Sequence, residues 1–125
     1  MYIEYNPNPV ANKTRDCAVR AVSAALDLSW DDASDMIYAM AKAMGETMDH
    51  NAAWGAVLRR HGFMRYIVPN FCPDCYTVHE FAVDHPSGIY VINTSGHVTT
   101  VIDGDIYDAW DTSNEIPVFY WHKED

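Results

Sequence analysis

The sequence predicts an α+β domain in which N-terminal helices pack on a C-terminal antiparallel sheet. Apolar residues recur at helical spacing through most of the first half of the chain. From Ile89 onward, β-rich runs alternate with short polar turns, and Asp103-Gly104 between two of these runs is typical of a tight hairpin. The chain has 125 residues, 49% of them hydrophobic, so we expect one domain, residues 1–125, with its own core.

Local signals set the predicted bounds of three helices. Residues 1–15 contain Asn6-Pro7-Asn8-Pro9 and are predicted to form turns. Asp16 is a plausible N-cap for the first helix, and Ser29 is one for the second. Gly45 supplies the residue that ends the second helix. The predicted helices are Cys17 to about Leu28, Trp30 to Met44, and roughly His50 to His61.

The second half begins with a short predicted strand, Phe63 to Val68, followed by a loop. Thr77 and Glu80 have the spacing of a capping box, which predicts a short helix through Val83. The rest of the chain is predicted to be an antiparallel meander. Its strands are expected at Ile89–Asn93, His97–Ile102, Asp105–Trp110 and Ile116–Trp121.

Charge and composition narrow the function classes. The chain has 8 Lys and Arg against 18 Asp and Glu, a net charge of −10, so a nucleic-acid partner is not expected. No apolar run approaches the roughly 18 residues of a membrane span, so we expect no membrane partner. The N-terminal segment lacks a signal pattern and the cysteine count is odd. We therefore expect a cytoplasmic protein, in the host cytoplasm if it is phage-encoded.

Three residues form the candidate catalytic group. Cys17 lies where a helix begins, and a helix N-terminus lowers the pKa of a thiol. In the hairpin around Asp103-Gly104, His97 comes opposite Trp110 and beside Asp111. We expect Asp111 to orient His97, because it lies at the strand end where His97 begins. Asp108, on the opposite face of that strand, is the alternative.

These residues and their motifs resemble the papain-like cysteine peptidase superfamily. The segments TRDCAVRA, SGHVTTVIDG and YDAWD carry the resemblance, which is closest to compact Cys-His-Asp members found among phage and bacterial proteins. The resemblance implies a papain-like fold with Cys17 as nucleophile, His97 as general base and acid, and Asp111 as the orienting residue. It implies cleavage of a peptide, isopeptide or related amide bond in a peptide or protein, with no cofactor. Peptidoglycan, cut by an amidase or endopeptidase, is the alternative substrate.

One departure concerns the oxyanion hole. The family usually has a Gln a few residues before the nucleophile, but residues 10–16 contain none, and Asn12 is the candidate replacement. Loss of one oxyanion donor costs about 100-fold or more in rate. A catalytically inactive papain-like interaction protein therefore remains the alternative function.

A second cysteine motif allows other chemistry. Cys72-Pro73-Asp74-Cys75 is a CxxC that could form a redox pair or half of a zinc site. His79 and His85 follow at spacings that a zinc site could use. The simpler interpretation is a loop before the helix capped by Thr77, with no metal bound.

Overall fold

A computed structural model describes residues 1–9, 16–69 and 75–123. Within these ranges the fold is α+β, with four helices and one six-stranded mixed sheet. The helices are α1 (Cys17–Leu26), α2 (Trp30–Met44), α3 (Asn51–Arg60) and α4 (Val78–Asp84). The strands are β1 (Tyr2–Glu4), β2 (Met64–Ile67), β3 (Ile89–Thr94), β4 (His97–Ile102), β5 (Asp105–Asp108) and β6 (Pro117–His122).

The predicted helix signals act locally as expected. The Ser29 hydroxyl accepts a hydrogen bond from the backbone N–H of Asp32 at 3.1 Å, and Gly45 ends α2 with φ at 72°. Thr77 and Glu80 form the predicted capping box of α4. The longest of the four helices, α2, has 15 residues, and none of the helices in the described ranges is long and apolar enough to cross a membrane.

The sheet departs from the predicted meander. Its strand order is β1-β5-β4-β3-β6-β2, so only β3, β4 and β5 follow one another as antiparallel neighbours. The last strand, β6, pairs with β3 instead of β5. The region predicted to be only turns contains β1, which pairs in parallel with β5 and aligns Glu4 with Asp108. Local patterns predict strands, but the order is decided by long-range packing that the patterns do not contain.

Helices cover both faces of the sheet. Successive strand residues point to opposite faces, and the neighbours Val91 and Ile92 of β3 belong to separate core clusters. Val91 packs with residues of α1, α2 and α3, whereas Ile92 packs with Phe81 and Ala82 of α4. The predicted arrangement of N-terminal helices on a C-terminal sheet therefore holds for the first three helices. It omits α4, which builds the second core.

Candidate functional site

Cys17, His97 and Asp108 each lie at the end of a regular element. Cys17 is the first residue of α1, His97 is the first of β4, and Asp108 is the last of β5. Helix α1 packs along β4, where the Thr100 hydroxyl donates to the carbonyl of Ala21 at 3.3 Å. This packing brings the start of α1 to the end of the sheet at which β4 begins.

Two tight turns set the register of these strands. Asp103 and Gly104 have φ values of 50° and 83°, which a two-residue hairpin between β4 and β5 requires at both positions. The turn before β4 needs a glycine as well, because Gly96 has a φ of 83°. The predicted hairpin is therefore confirmed, and it places Asp108 close to His97.

His97 is oriented by Asp108. Its Nε2 lies 2.7 Å from Asp108 Oδ2, and both side chains are buried. The prediction that Asp111 contacts His97 is wrong, because β5 ends at Asp108 and the chain then turns away. Asp111 is exposed, and its Oδ1 accepts hydrogen bonds from the backbone N–H and hydroxyl of Ser113. Asp111 is thus a turn residue, of the kind that Asp favours.

The second partner of His97 is Cys17. Because Nε2 faces Asp108, Nδ1 is the nitrogen available to hydrogen-bond the thiol, which is half-buried. Burial lowers the pKa of His97, but the hydrogen bonds to Asp108 and Cys17 and their negative charges outweigh it and raise the pKa to about 9. Burial raises the pKa of the Cys17 thiol. The hydrogen bond from His97, its charge, the backbone N–H of Val98 and the charge of Arg20 together lower it below its usual value.

These opposite shifts decide where one proton resides. An isolated histidine loses its proton well before an isolated cysteine does, so at neutral pH both would be uncharged. Here the pKa of the imidazole is raised and the pKa of the thiol is lowered. The shared proton is therefore favoured on the ring, and the pair becomes a thiolate beside an imidazolium. A thiolate is the nucleophilic form of cysteine.

Trp110 covers the pair on the solvent side. Its ring lies 4.6 Å from the ring of His97, centroid to centroid, and is tilted by 34°. The side chain is 51% exposed, so one part shields the imidazole while another part faces solvent. This position agrees with the expectation that a tryptophan beside the hairpin end keeps water from the His–Asp contact. The exposed part offers an aromatic surface at the rim of the site.

A buried network extends from the site along α1. Asp16 was predicted as an N-cap, but within α1, all of whose residues are described, its side chain makes no capping hydrogen bond. Its carboxylate instead accepts hydrogen bonds from Arg20 NH1, from Asn8 Nδ2 at 3.1 Å and from Trp30 Nε1 at 3.0 Å. Arg20 NH2 also donates to Asp108 Oδ1 at 3.3 Å. Asp16 is thus a buried acceptor that holds the start of α1.

Asp108 and Arg20 are the residues that the sequence analysis underrated. Counting outward from the Asp103-Gly104 turn pairs Thr99 with Asp108, which puts Asp108 and His97 on one face by simple alternation. Proximity to the strand end was given more weight than alternation, and Asp111 was chosen for that reason. Arg20 lies four residues after Asp16, a spacing that favours an ion pair on a helix.

The second cysteine motif does not form a metal centre in the described part of the chain. Cys75 is disulfide-bonded, so it offers no thiolate to a metal, and Cys72 lies outside the described residues. His85 stacks on Phe81 and bonds the carbonyl of that residue through Nδ1 at 2.7 Å, while His79 is exposed. Within the described ranges, no three His, Cys, Asp or Glu side chains converge to hold a metal ion.

Comparisons with known proteins give no family for this fold or site. No protein-family model, no curated protein and no solved structure matches the chain. Asn12, the candidate oxyanion donor, lies outside the described residues. The functional conclusion therefore depends on the geometry of Cys17, His97 and Asp108 and on the chemistry that this geometry supports.

Proposed function

We propose that the chain is a papain-like cysteine hydrolase that cleaves a peptide, isopeptide or related amide bond through a thioester on Cys17. The observation that carries the proposal is the chain of contacts from Asp108 through His97 to Cys17. A nucleophile hydrogen-bonded to a base, and a base oriented by a third group, is the arrangement of covalent hydrolases. In this proposal Asp108 takes the orienting role that the resemblance gave to Asp111.

The proposed reaction has two steps. The Cys17 thiolate attacks the amide carbonyl, the C–N bond breaks, and the His97 imidazolium gives its proton to the leaving amine. His97 is then neutral and takes a proton from water as that water attacks the thioester. The C–S bond breaks, the carboxylic acid leaves, and the thiolate beside the imidazolium is restored. No metal or organic cofactor enters either step.

The start of α1 can supply part of the oxyanion hole. The first backbone N–H groups of a helix have no partner within the helix, and Cys17 is the first residue of α1. The Asp16 carboxylate, which would cap these groups in an ordinary helix, is bonded to Arg20, Asn8 and Trp30 instead. The N–H of Cys17 is therefore available to a developing oxyanion, with Asn12 as the candidate second donor.

A substrate-independent digestion tests the proposal. The protein and its Cys17→Ala variant are incubated with a peptide library prepared from a whole proteome and, separately, with muropeptides from digested peptidoglycan. Mass spectrometry then identifies the new termini. We expect cleavage by the parent that Cys17→Ala lacks. The rate should rise with ionisation of Cys17 and fall near pH 9 as His97 loses its proton.

The two substrate sets separate the alternatives. Cleavage of muropeptides alone would assign the peptidoglycan amidase or endopeptidase alternative, and cleavage of library peptides would assign a peptidase. If the parent and Cys17→Ala give identical products in both sets, the hydrolase proposal is wrong. The inactive interaction protein would then be the better account of this chain.

A further inference from the structure

One guanidinium contacts both halves of the candidate site. Arg20 NH1 donates to Asp16, the residue directly before Cys17, and NH2 donates to Asp108 Oδ1 at 3.3 Å. Arg20 is only 5% exposed, and its Nε is buried with no hydrogen-bond partner among the described residues. A cation buried between two carboxylates is firmly held, because its removal leaves charges without compensation.

We propose that Arg20 is a positioning residue of the site, which orients the Asp108 carboxylate toward His97 and connects it to the helix start that carries Cys17. The proposal rests on the proposed hydrolase function. Arg20 does not contact the reacting atoms; it acts through Asp108 and Asp16. The nucleophile and its base come from different elements, and Arg20 is the side chain that bonds to both sides.

The contacts of Asp108 explain how this orientation works. Oδ1 accepts from Arg20 and from the backbone N–H of Ala109 at 2.7 Å, which leaves Oδ2 to face His97 at 2.7 Å. With Oδ1 held by two donors, the carboxylate cannot rotate away from the imidazole. The ring of Trp110 lies 5.2 Å from the Arg20 guanidinium carbon and closes the same contact from the solvent side.

The charge of Arg20 is shared among several titratable groups, which gives its role a measurable sign. Within the described residues, these groups come from every neighbouring element: Asp16 before α1, Cys17 on α1, His97 on β4, Asp108 on β5, and Tyr2 on β1, whose hydroxyl donates to the Asp108 carbonyl. The positive charge stabilises the Cys17 thiolate, so its loss should move ionisation of Cys17 to higher pH. Neutralising Asp16 leaves more of the guanidinium charge to act on Cys17 and should move ionisation to lower pH.

The experiment compares the pH midpoint of Cys17 alkylation by iodoacetamide, resolved by mass spectrometry, in the parent, Arg20→Gln and Asp16→Asn. We expect the midpoint to rise by about 1 pH unit in Arg20→Gln, which is roughly a tenfold slower reaction below the midpoint. In Asp16→Asn we expect a smaller shift in the opposite direction. A purely structural role would lower the folded fraction without moving the midpoints apart.

Matched variants separate the possible outcomes. Arg59→Gln removes a charge from an exposed arginine beside Trp121, and Asp35→Asn removes one from an exposed position on α2; neither should move the midpoint. Arg20→Gln exposes two buried carboxylates to each other, so if it fails to fold, Asp16→Asn alone decides. An unchanged or raised midpoint in Asp16→Asn overturns the role of Arg20. If Cys17 reactivity in the parent is itself independent of His97, it is the hydrolase proposal that fails.

Discussion

Replacing Asp108 with asparagine should lower the rate of amide cleavage by about 10²- to 10⁴-fold, the cost of removing the carboxylate that orients a catalytic histidine. Asp108 is almost fully buried and lies 2.7 Å from His97 Nε2. The asparagine keeps the shape of the side chain but loses the charge that stabilises the imidazolium. The measurement is kcat per folded molecule on a peptide that the library digestion identifies, with the folded fraction taken from circular dichroism.

Asp111→Asn is the matched control for this prediction. Asp111 lies three residues further along, is exposed, and bonds only to Ser113 among its described contacts. We expect its rate to stay within about twofold of the parent, as for other exposed substitutions away from the chemistry. Equal losses in the two variants, or a larger loss in Asp111→Asn, would contradict the assignment of Asp108.

Replacing His97 with alanine should slow alkylation of Cys17 at pH 6.5 by at least about tenfold. Without the imidazolium the thiol returns toward an ordinary pKa near 8.5, at which about 1% is thiolate at this pH. Part of that loss is offset, because a thiolate of higher pKa is intrinsically more nucleophilic. The measurement is the pseudo-first-order rate of iodoacetamide labelling at Cys17, followed by mass spectrometry of the intact peptide.

His79→Ala supplies the control for the histidine substitution. His79 is exposed on α4 and has no contact with Cys17 among the described residues, so labelling should proceed at the rate of the parent. Equal rates in the parent and in His97→Ala would mean that His97 does not activate Cys17. The half-buried position of the thiol would then be a packing feature, as it is for most free cysteines.

Much of the fold follows from local sequence signals. Ser29, Gly45 and the Thr77–Glu80 pair mark helix ends because each satisfies backbone groups that the helix leaves open. The Asp103-Gly104 turn sets the β4–β5 register, since both positions need a positive φ. Such signals act over a few residues, so the sequence displays them directly.

The parts that the sequence does not predict depend on contacts between distant segments. Strand β1 becomes a strand only because β5 offers it a partner about a hundred residues later, and nothing within Asn6-Pro7-Asn8-Pro9 announces this. Arg20 joins Asp16 and Asp108 across 88 positions of sequence separation on the Asp108 side. The choice between Asp108 and Asp111 was within reach, because alternation in β5 puts only Asp108 on the face of His97.

The central claim is that the proton shared by Cys17 and His97 resides on the imidazole, and an NMR titration of His97 tests it most directly. The ring C–H signals of His97 are followed from pH 5 to 10 in the parent and in Cys17→Ala, with His97→Ala to assign them. The account predicts titration at a pKa of about 9 in the parent. It predicts a decrease of about 1 pH unit in Cys17→Ala, because the neighbouring thiolate is lost. Titration near the ordinary value of about 6.5 in both proteins would contradict the thiolate–imidazolium pair.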